Sequence, residues 1–508
     1  MADAAARLGR WGDAAAALER AAALNPSEAA IPRNLGAALS NIGRFEGALE
    51  ALKKAVALDP GNVQDRLTYA QLLIDTGRKR DAAVEIEGAS RLALRRMLST
   101  DEQRAAAEGG DEAAVSISPD RLADVRELGF LLDRLNQVND LRELLAAAEK
   151  AGIAPETLGS LWASVALREG RPEEAKRLLL LDGTHFDDAQ WDRLMTKVAD
   201  ALGDSDEAFV AAGAMNRAVP CYDEWRQRAA SYRTNIRLTA EVVTPDWASR
   251  IHPLPSDDAI PDLSFVVGFP RSGTTLLDTF LMGHPQTHVI EEGRMLELAT
   301  KVISEASGVD WPFDLVMRAR RAYVDELCQN LPTDFNGLVV DKHPLNMLRL
   351  AVLHALFPSA KVIFAQRHPC DVVLSGYMQS FRLNHAMASF LDIADAADLY
   401  DAAMTMWTRS RNAVPQAIHT VVYERLTADP RAELRPALAF LGLEWRDELL
   451  DHQTTAKSRG LITTASYDQV VQPLSRAPSG RWRRYRKQLE PVLPILLPWA
   501  ERLGYARD

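Results

Sequence analysis

The fold is decided by one stretch of sequence, Ser264-Phe-Val-Val-Gly-Phe-Pro-Arg-Ser-Gly-Thr-Thr-Leu-Leu-Asp-Thr-Phe-Leu-Met282. Its first five residues form a short, mostly apolar run of the kind that makes a buried parallel strand. Its last part, Leu276–Met282, predicts a helix. A glycine-containing turn joins the two, and its backbone N–H groups can surround an anion together with the helix N-terminus. The stretch therefore predicts a phosphate-binding loop in an α/β domain.

The loop at Gly268–Thr275 lacks the lysine of a nucleotide kinase. In the Walker motif a lysine directly follows the second glycine, but Thr274 stands there, and the basic residue lies inside the loop as Arg271. This argues against ATP hydrolysis. An ordinary strand-to-helix turn, with glycine present only for tightness, is the alternative that the loop alone leaves open.

Three further runs, each short and mostly apolar, predict more strands of the same sheet. They are Gly337-Leu-Val-Val-Asp341, Lys361-Val-Ile-Phe-Ala365 and Ile418-His-Thr-Val-Val-Tyr423. Helical stretches between them supply the crossovers that parallel strands need. We therefore predict an α/β domain with a parallel sheet over residues 261–508, preceded by a proline-rich linker at residues 236–260.

The N-terminal part of the chain is alanine-rich and repeats every 34 residues. This is the period of the tetratricopeptide repeat, a pair of packed helices. In such a unit glycine stands at the turn, alanine stands where the helices cross closely, and proline closes the second helix. The positions in register are Gly9, Gly43 and Gly77; Ala14, Ala48 and Ala82; Ala21, Ala55 and Ala89; and Pro26 and Pro60, with Leu18, Leu52 and Ile86 between units.

The repeat pattern sets the expected limits of the first domain. Counting back one period from Pro26 passes the first residue, so we expect the first repeat to lack most of its first helix. Residues 91–120 lose the register, and Ser99–Arg104 with the two glycines that follow predict a polar loop. Helical pairs then resume. We expect a degenerate helical solenoid over residues 1–235.

Composition excludes several classes of function. The 508 residues carry a formal net charge of -11, which gives no general basic surface for nucleic acid. Three cysteines, Cys221, Cys328 and Cys370, lack the spacing of a zinc site or a disulfide framework. No signal segment is visible, and no run reaches the ~20 apolar residues of a membrane span. We expect a soluble, cytoplasmic protein without metal, nucleic acid or membrane contacts.

A second motif, Phe364-Ala-Gln-Arg-His-Pro-Cys-Asp-Val-Val-Leu-Ser-Gly-Tyr377, also lies where a strand meets a helix. Arg367 leaves the strand end, and Ser375 lies in the helix that follows. An arginine fork beside a hydroxyl suits a terminal phosphate dianion. The alternative for an arginine at a strand end is a surface ion pair.

Two glutamates and a lysine follow neighbouring strands. Glu291 and Glu292 come after one strand, and Lys342 ends the next. Because the carboxyl ends of parallel strands meet at one edge, we expect these side chains to lie close together. A carboxylate there can act as a general base, and a lysine can stabilise charge on a leaving oxygen. Alternatively, the two glutamates only stabilise the N-terminus of the next helix.

Neighbouring residues complete this prediction. In an extended segment Glu291 points away from Glu292. Arg294 either orients a substrate or pairs with a carboxylate, and Asp341 is expected to pair with its neighbour Lys342. His343 is a rival base, although a lone histidine is more often structural.

Together these motifs resemble the sulfotransferase family. Pro270-Arg-Ser-Gly-Thr-Thr275 resembles its 5′-phosphosulfate loop, and the variant with Arg271 resembles the tyrosylprotein sulfotransferases and the bacterial tetratricopeptide-linked sulfotransferases. The resemblance covers roughly residues 260–490. It implies a fold like that of P-loop proteins and 3′-phosphoadenylyl sulfate (PAPS) as the donor. It further implies adenosine 3′,5′-bisphosphate as the product and no metal.

The resemblance also implies a role for individual residues. The implied catalytic residues are the base Glu292, Arg271, Lys342 on the bridging oxygen, and Ser466 at the transferring group. The implied donor-binding residues are Pro270, Arg271, Ser272, Gly273, Thr274 and Thr275 at the 5′-phosphosulfate, Arg367, Ser375 and Arg481 at the 3′-phosphate, and Tyr423 near the nucleotide. Arg294 is the implied substrate-binding residue.

The implied acceptor is a hydroxyl, with a peptide or protein tyrosine held by the repeats as one candidate. A homodimer is a further expectation, because solenoids and members of this family often pair. Two alternatives stay open: a non-catalytic tetratricopeptide scaffold with a nucleotide-binding domain, and a P-loop kinase. Thr274 argues against the kinase. The joint presence of the implied catalytic and 3′-phosphate residues argues against a scaffold that has lost catalysis.

Overall fold

The chain divides into two units after residue 186, and each has its own hydrophobic core. The computed structural model describes all residues except 1, 3–4, 6–9, 77, 108–118, 136, 182–187, 258, 307–309, 333–334, 459–473, 475–478 and 507–508.

The first unit consists of helices among its described residues. They are α1 Trp11–Leu24, α2 Ala30–Asn41, α3 Phe45–Leu58, α4 Val63–Asp75, α5 Lys79–Ala107, α6 Pro119–Arg134, α7 Val138–Lys150, α8 Gly159–Arg168 and α9 Pro172–Leu181, with a short 3₁₀ helix at Pro155–Leu158.

Small residues let the repeat helices approach closely. Ala14, Ala48 and Ala82, one period apart, are fully buried. At Gly36 on α2, an added Cβ would lie 2.6 Å from Leu52 Cγ on α3. Leu52 is itself buried in the core of this unit, so the larger residue fills the space that glycine leaves. The predicted helical repeats are confirmed.

The predicted polar loop at Ser99–Arg104 is wrong, because α5 continues to Ala107. The stretch was assigned to a loop for its polarity, but glutamate, glutamine, arginine and alanine all have high helix propensity.

The second unit contains a five-stranded parallel sheet with the order β2-β3-β1-β4-β5. The strands are β1 Leu263–Gly268, β2 Thr287–Glu291, β3 Leu338–Lys342, β4 Lys361–Gln366 and β5 Ala417–Val422. All the predicted strands are therefore present. β1 lies at the centre and is buried along its whole length. The carboxyl ends of the strands share one edge, where open α/β sheets bind ligands.

Helices precede the sheet and connect its strands. They are α10 Asp188–Leu202, α11 Ser205–Arg217, α12 Tyr222–Val242, α13 Pro245–Ala248, α14 Thr274–Met282, α15 Met295–Ile303, α16 Phe313–Asn330, α17 Leu350–Leu356, α18 Pro369–Tyr377, α19 Ile393–Ala413, α20 Tyr423–Ala428, α21 Pro430–Leu441, α22 His452–Ser458, α23 Arg486–Leu489 and α24 Leu493–Arg502. Short 3₁₀ helices lie at Pro344–Arg349, Met387–Leu391, Asp447–Leu450 and Arg481–Tyr485. Within the described ranges, no helix has the length and apolarity that a bilayer span requires.

The units divide at a different place from the predicted domain boundaries. Helices α10 to α12 belong with the sheet, although residues 1–235 were assigned to the repeats. The predicted linker at residues 236–260 contributes to the core of the second unit through Trp247, Ile251 and Leu254, all buried. These apolar side chains between prolines anchor the segment, so it packs as part of the α/β unit.

Candidate functional site

Two residues in the left-handed region shape the loop after β1. The φ angle is 72° at Arg271 and 94° at Gly273, which caps α14. An added Cβ would lie 2.6 Å from the Ala365 carbonyl oxygen at Gly268, and 2.4 Å from the Tyr423 ring at Gly273. Only glycine fits at positions 268 and 273. The loop is therefore drawn tightly against β4 and Tyr423.

The loop also contains a buried hydroxyl. Ser272 is 3% exposed, and its Oγ has no hydrogen-bond partner in the described part of the chain. Thr274 and Thr275, also buried, begin α14, so the first N–H groups of the helix lie at the same place. A buried polar atom without a partner costs free energy, and an oxygen-rich ligand in the loop would offset this cost.

The two predicted phosphate motifs meet in space. The Nε of Arg271 donates a hydrogen bond of 3.0 Å to Ser375 Oγ. Arg367 Nη1 donates to the carbonyl oxygen of Arg271 at 3.0 Å, and its guanidinium lies over the Tyr423 ring, 4.5 Å from the centroid. The carboxyl ends of β1 and β4 therefore bring two arginines, a hydroxyl and an aromatic ring together.

A cluster of three carboxylates and one lysine lies at the ends of β2 and β3. Lys342 Nζ is 3.1 Å from Asp278 Oδ2, 3.0 Å from Glu291 Oε1 and 3.4 Å from Glu292 Oε1. Burial alone lowers the pKa of Lys342, but the carboxylates outweigh burial and hold this pKa above its ordinary value. Lys342 is therefore a fully buried, charged ammonium.

Both glutamates reach the same lysine because the backbone leaves the extended conformation. Glu291 lies opposite Lys342 in the parallel register of β2 and β3. At Glu292 φ is 54°, and its N–H donates to the Lys342 carbonyl oxygen at 2.7 Å. The prediction that Glu291 points away from Glu292 is wrong, because it assumed an extended strand through both residues.

The predicted pairing of Asp341 with its neighbour Lys342 is wrong. Asp341 accepts a hydrogen bond of 3.0 Å from the Tyr323 hydroxyl instead, because successive strand residues point to opposite faces. Burial raises the pKa of Asp341 to about 7. Burial also lowers the pKa of His343 to about 4, so the ring is neutral near pH 7.

Comparisons with known proteins relate parts of the chain to two families. A family model described as "Sulfotransferase family" matches residues 264–447, and two models described as "Tetratricopeptide repeat" match residues 1–63 and 43–95. The sulfotransferase match thus lies within the second unit, and the tetratricopeptide matches lie within the first.

Individual relatives are similar over part of their length. An uncharacterised protein of Aquifex aeolicus is 30% identical over 60% of this chain and 40% of its own length. Protein-tyrosine sulfotransferase 1 of Danio rerio is 28% identical over 48% of this chain and 72% of its own length. The chain thus spans less than half of the Aquifex relative. A sulfotransferase domain from the curacin biosynthetic pathway covers 49% of this chain and 99% of its own, at 19% identity and a TM-score of 0.34.

Not every predicted site residue lies in the candidate site. Arg481 Nη1 pairs with Asp200 at 3.1 Å, and the exposed Arg294 pairs with Glu297 at 3.3 Å. Ser466 lies outside the described residues. Pro270, in contrast, lies in the loop after β1, where it is buried.

Sequence reasoning missed Asp278. It lies on α14, fully buried, with its carboxylate against Lys342. A signal was present, because Asp278 is the single charged residue in the helical run Leu276–Met282, which is otherwise apolar except for Thr279. A charged residue at such a position is rarely buried unless it is paired.

Proposed function

We propose that this chain transfers a sulfuryl group from PAPS to an acceptor hydroxyl. The observation that carries the proposal is the meeting of three groups at one edge of the sheet. These are the loop after β1, the Arg367–Ser375 motif and the carboxylate–lysine cluster. The family match over residues 264–447 supports sulfuryl transfer as the class of reaction.

The residues present fit the donor. The unpartnered Ser272 hydroxyl and the first N–H groups of α14 suit the 5′-phosphosulfate, as does the close backbone approach at Gly268 and Gly273. Arg367 and Ser375 suit a terminal phosphate dianion, which ATP lacks at the 3′ position. When bound, PAPS would supply an activated sulfuryl group on a phosphate leaving group.

The chain's own residues then divide the chemistry. Glu292, with 48% of its side chain exposed, faces solvent and takes the proton of the acceptor hydroxyl. The Lys342 ammonium stabilises the charge left on the phosphate oxygen when the bond to sulfur breaks. Arg271 neutralises charge from the loop side. Proton removal and charge stabilisation thus fall to different groups.

The repeats suggest that the acceptor belongs to a peptide or protein. Tetratricopeptide arrays present extended surfaces suited to protein partners. Tyrosine is our first candidate for the acceptor residue, since several relatives are named protein-tyrosine sulfotransferases.

The direct test is transfer of labelled sulfate from PAPS to a panel of tyrosine peptides, saccharides and small alcohols. We expect one class to be labelled, and adenosine 3′,5′-bisphosphate to raise the melting temperature more than ATP with magnesium. Preference for ATP would instead support the kinase alternative. Nucleotide binding without transfer to any acceptor would support the scaffold.

A further inference from the structure

Three carboxylates surround the Lys342 ammonium, and they are not equivalent. Asp278 is fully buried and Glu291 is 8% exposed, with Lys342 contacts of 3.1 and 3.0 Å. Glu292 is 48% exposed and has the longest contact, 3.4 Å. Two partners of the lysine are thus shielded from water, whereas the third is accessible to it.

The buried pair is fixed by two separate elements. Asp278 projects from α14, and its second oxygen accepts a hydrogen bond of 3.3 Å from Thr279. Glu291 is held opposite Lys342 by the register of β2 and β3. Removing either carboxylate from a buried ammonium is costly, whereas water can replace an exposed partner at little cost.

We propose that Asp278 and Glu291 are positioning residues that hold Lys342 in place, and that the sulfuryl donor displaces Glu292 from Lys342. This inference rests on the proposed function and assigns roles to two residues beyond it. Lys342 is fully buried, and of its three carboxylate neighbours only Glu292 is exposed, so a sulfuryl oxygen that reaches the ammonium from solvent meets the position of Glu292. Glu292 is the partner that can leave.

The exchange links the two halves of the reaction. Before the donor binds, one oxygen of the Glu292 carboxylate accepts a hydrogen bond of 3.4 Å from the Lys342 ammonium. When a donor oxygen takes its place, the leaving side gains its cation and Glu292 is released toward the acceptor. One binding event therefore prepares both sides of the transfer.

The test compares the affinities for PAPS and for adenosine 3′,5′-bisphosphate, measured by calorimetry without acceptor. Only PAPS carries the sulfuryl group, and a sulfuryl oxygen is the donor atom that we expect to displace Glu292, so the ratio of the two dissociation constants isolates this contact. We expect Asp278→Asn and Glu291→Gln to weaken the binding of PAPS about tenfold more than the binding of the bisphosphate, because Lys342 then pairs more closely with Glu292. Glu292→Gln should strengthen the binding of PAPS about threefold relative to the binding of the bisphosphate, because the carboxylate that competes with the donor for Lys342 is gone.

The three variants are matched in charge, since each removes one negative charge from the same cluster. If repulsion of the anionic donor were the only effect, all three would strengthen PAPS binding. That result would overturn the proposal, and so would a ratio that none of them changes. Asp395→Asn, an ion-paired aspartate on α19, is the control and should leave the ratio unchanged.

Folding and function are checked separately. Thermal unfolding shows whether Asp278→Asn is folded; if it is not, Glu291→Gln, at the strand end, carries the test alone. If the unchanged protein binds neither nucleotide, the proposed function fails. If it binds both and transfers sulfate while Glu291→Gln strengthens PAPS binding, only the exchange is wrong.

Discussion

At the scale of single residues, backbone strain coincides with the proposed chemistry. The non-glycine residues with positive φ among those described are Cys221, Arg271 and Glu292. Such conformations cost about 1–3 kcal/mol each and persist where surrounding contacts determine them. Glu292 is held by its N–H on the Lys342 carbonyl oxygen, and Arg271 by its bond to Ser375. The strain turns Glu292 toward the lysine.

Replacing Glu292 tests its role as the base. Glu292→Gln keeps the shape of the side chain but cannot accept a proton, so kcat should fall about a hundredfold or more. The affinity for adenosine 3′,5′-bisphosphate should stay within about twofold, since this product lacks the sulfuryl group. Steady-state transfer and calorimetry measure the two. Glu297→Gln, an exposed acid on α15, should keep its turnover. An unchanged kcat in Glu292→Gln would assign the base elsewhere.

We expect Arg367 to discriminate between nucleotides with and without a 3′-phosphate. Arg367→Ala should weaken the binding of adenosine 3′,5′-bisphosphate at least about tenfold more than the binding of AMP, because a charge-assisted hydrogen bond to the 3′-phosphate is lost. Competition binding with both nucleotides measures this. Arg425→Ala removes an exposed arginine near Tyr423 that pairs with Glu433, and should affect neither nucleotide. Equal losses for AMP and the bisphosphate in Arg367→Ala would place the 3′-phosphate elsewhere.

Asp341 should make stability depend on pH. Burial raises its pKa from 3.8 to about 7, so its stabilising contribution is complete below pH 3.8 and is lost as pH rises through 7. The side chain in Asp341→Asn stays neutral at every pH, and its oxygen can still accept the hydrogen bond from the Tyr323 hydroxyl. Its unfolding free energy should exceed that of the unchanged protein by about 1–3 kcal/mol at pH 8, and by much less at pH 5. Urea unfolding at both values measures this, and an equal difference at both would contradict it.

At the scale of elements, charge pairs fasten α12 to α19. Arg233 is buried and lies 2.8 Å from Asp395 and 2.7 Å from Asp398, and it donates to Ser389. No local pattern in the sequence predicts this pairing, because the partners of Arg233 lie more than 150 residues away along the chain. The place where the two units divide, after residue 186, therefore depends on contacts that the local sequence does not show.

Breaking this attachment should cost stability and spare the site. Arg233→Leu removes the buried arginine, but Asp395 keeps Arg226 and Asp398 keeps Arg237, so the free energy of unfolding should fall by about 1–2 kcal/mol. Affinity for adenosine 3′,5′-bisphosphate should be unchanged. Arg228→Ala, on the exposed face of the same helix, should cost at most about 0.5 kcal/mol. Denaturant unfolding of both variants measures the difference. Equal, small losses would mean that α12 is held by its apolar side chains alone.

The elements that could be predicted are those with a local signal. The strands follow from apolar runs, the repeat helices from the 34-residue period, and the loop after β1 from its glycines. The turn at Glu292 could not be predicted, since its positive φ depends on the Lys342 carbonyl across the sheet. For Asp278 the lone charge in its helix indicates a buried partner, but not that this partner is Lys342, which lies on another element.

At the scale of the whole molecule, the candidate site depends on the topology of the sheet. The carboxylate–lysine cluster draws on α14, β2 and β3, and the phosphate motifs on β1 and β4. Because β1 is central, the loop after it lies between the two groups. In the proposed function one loop would thus serve donor binding on one side and proton transfer on the other.

The division into two units predicts separable roles. Residues 187–508 have their own core and contain every described residue of the site, so alone they should bind adenosine 3′,5′-bisphosphate as tightly as the whole chain. Without the repeats, KM for a peptide acceptor should rise about tenfold or more, since the partner surface is lost, while KM for a small phenol should not change. Parallel kinetics with both acceptors measure this. A rise of KM for both acceptors would mean that the repeats support the site itself, because a lost partner surface affects only the acceptor that uses it.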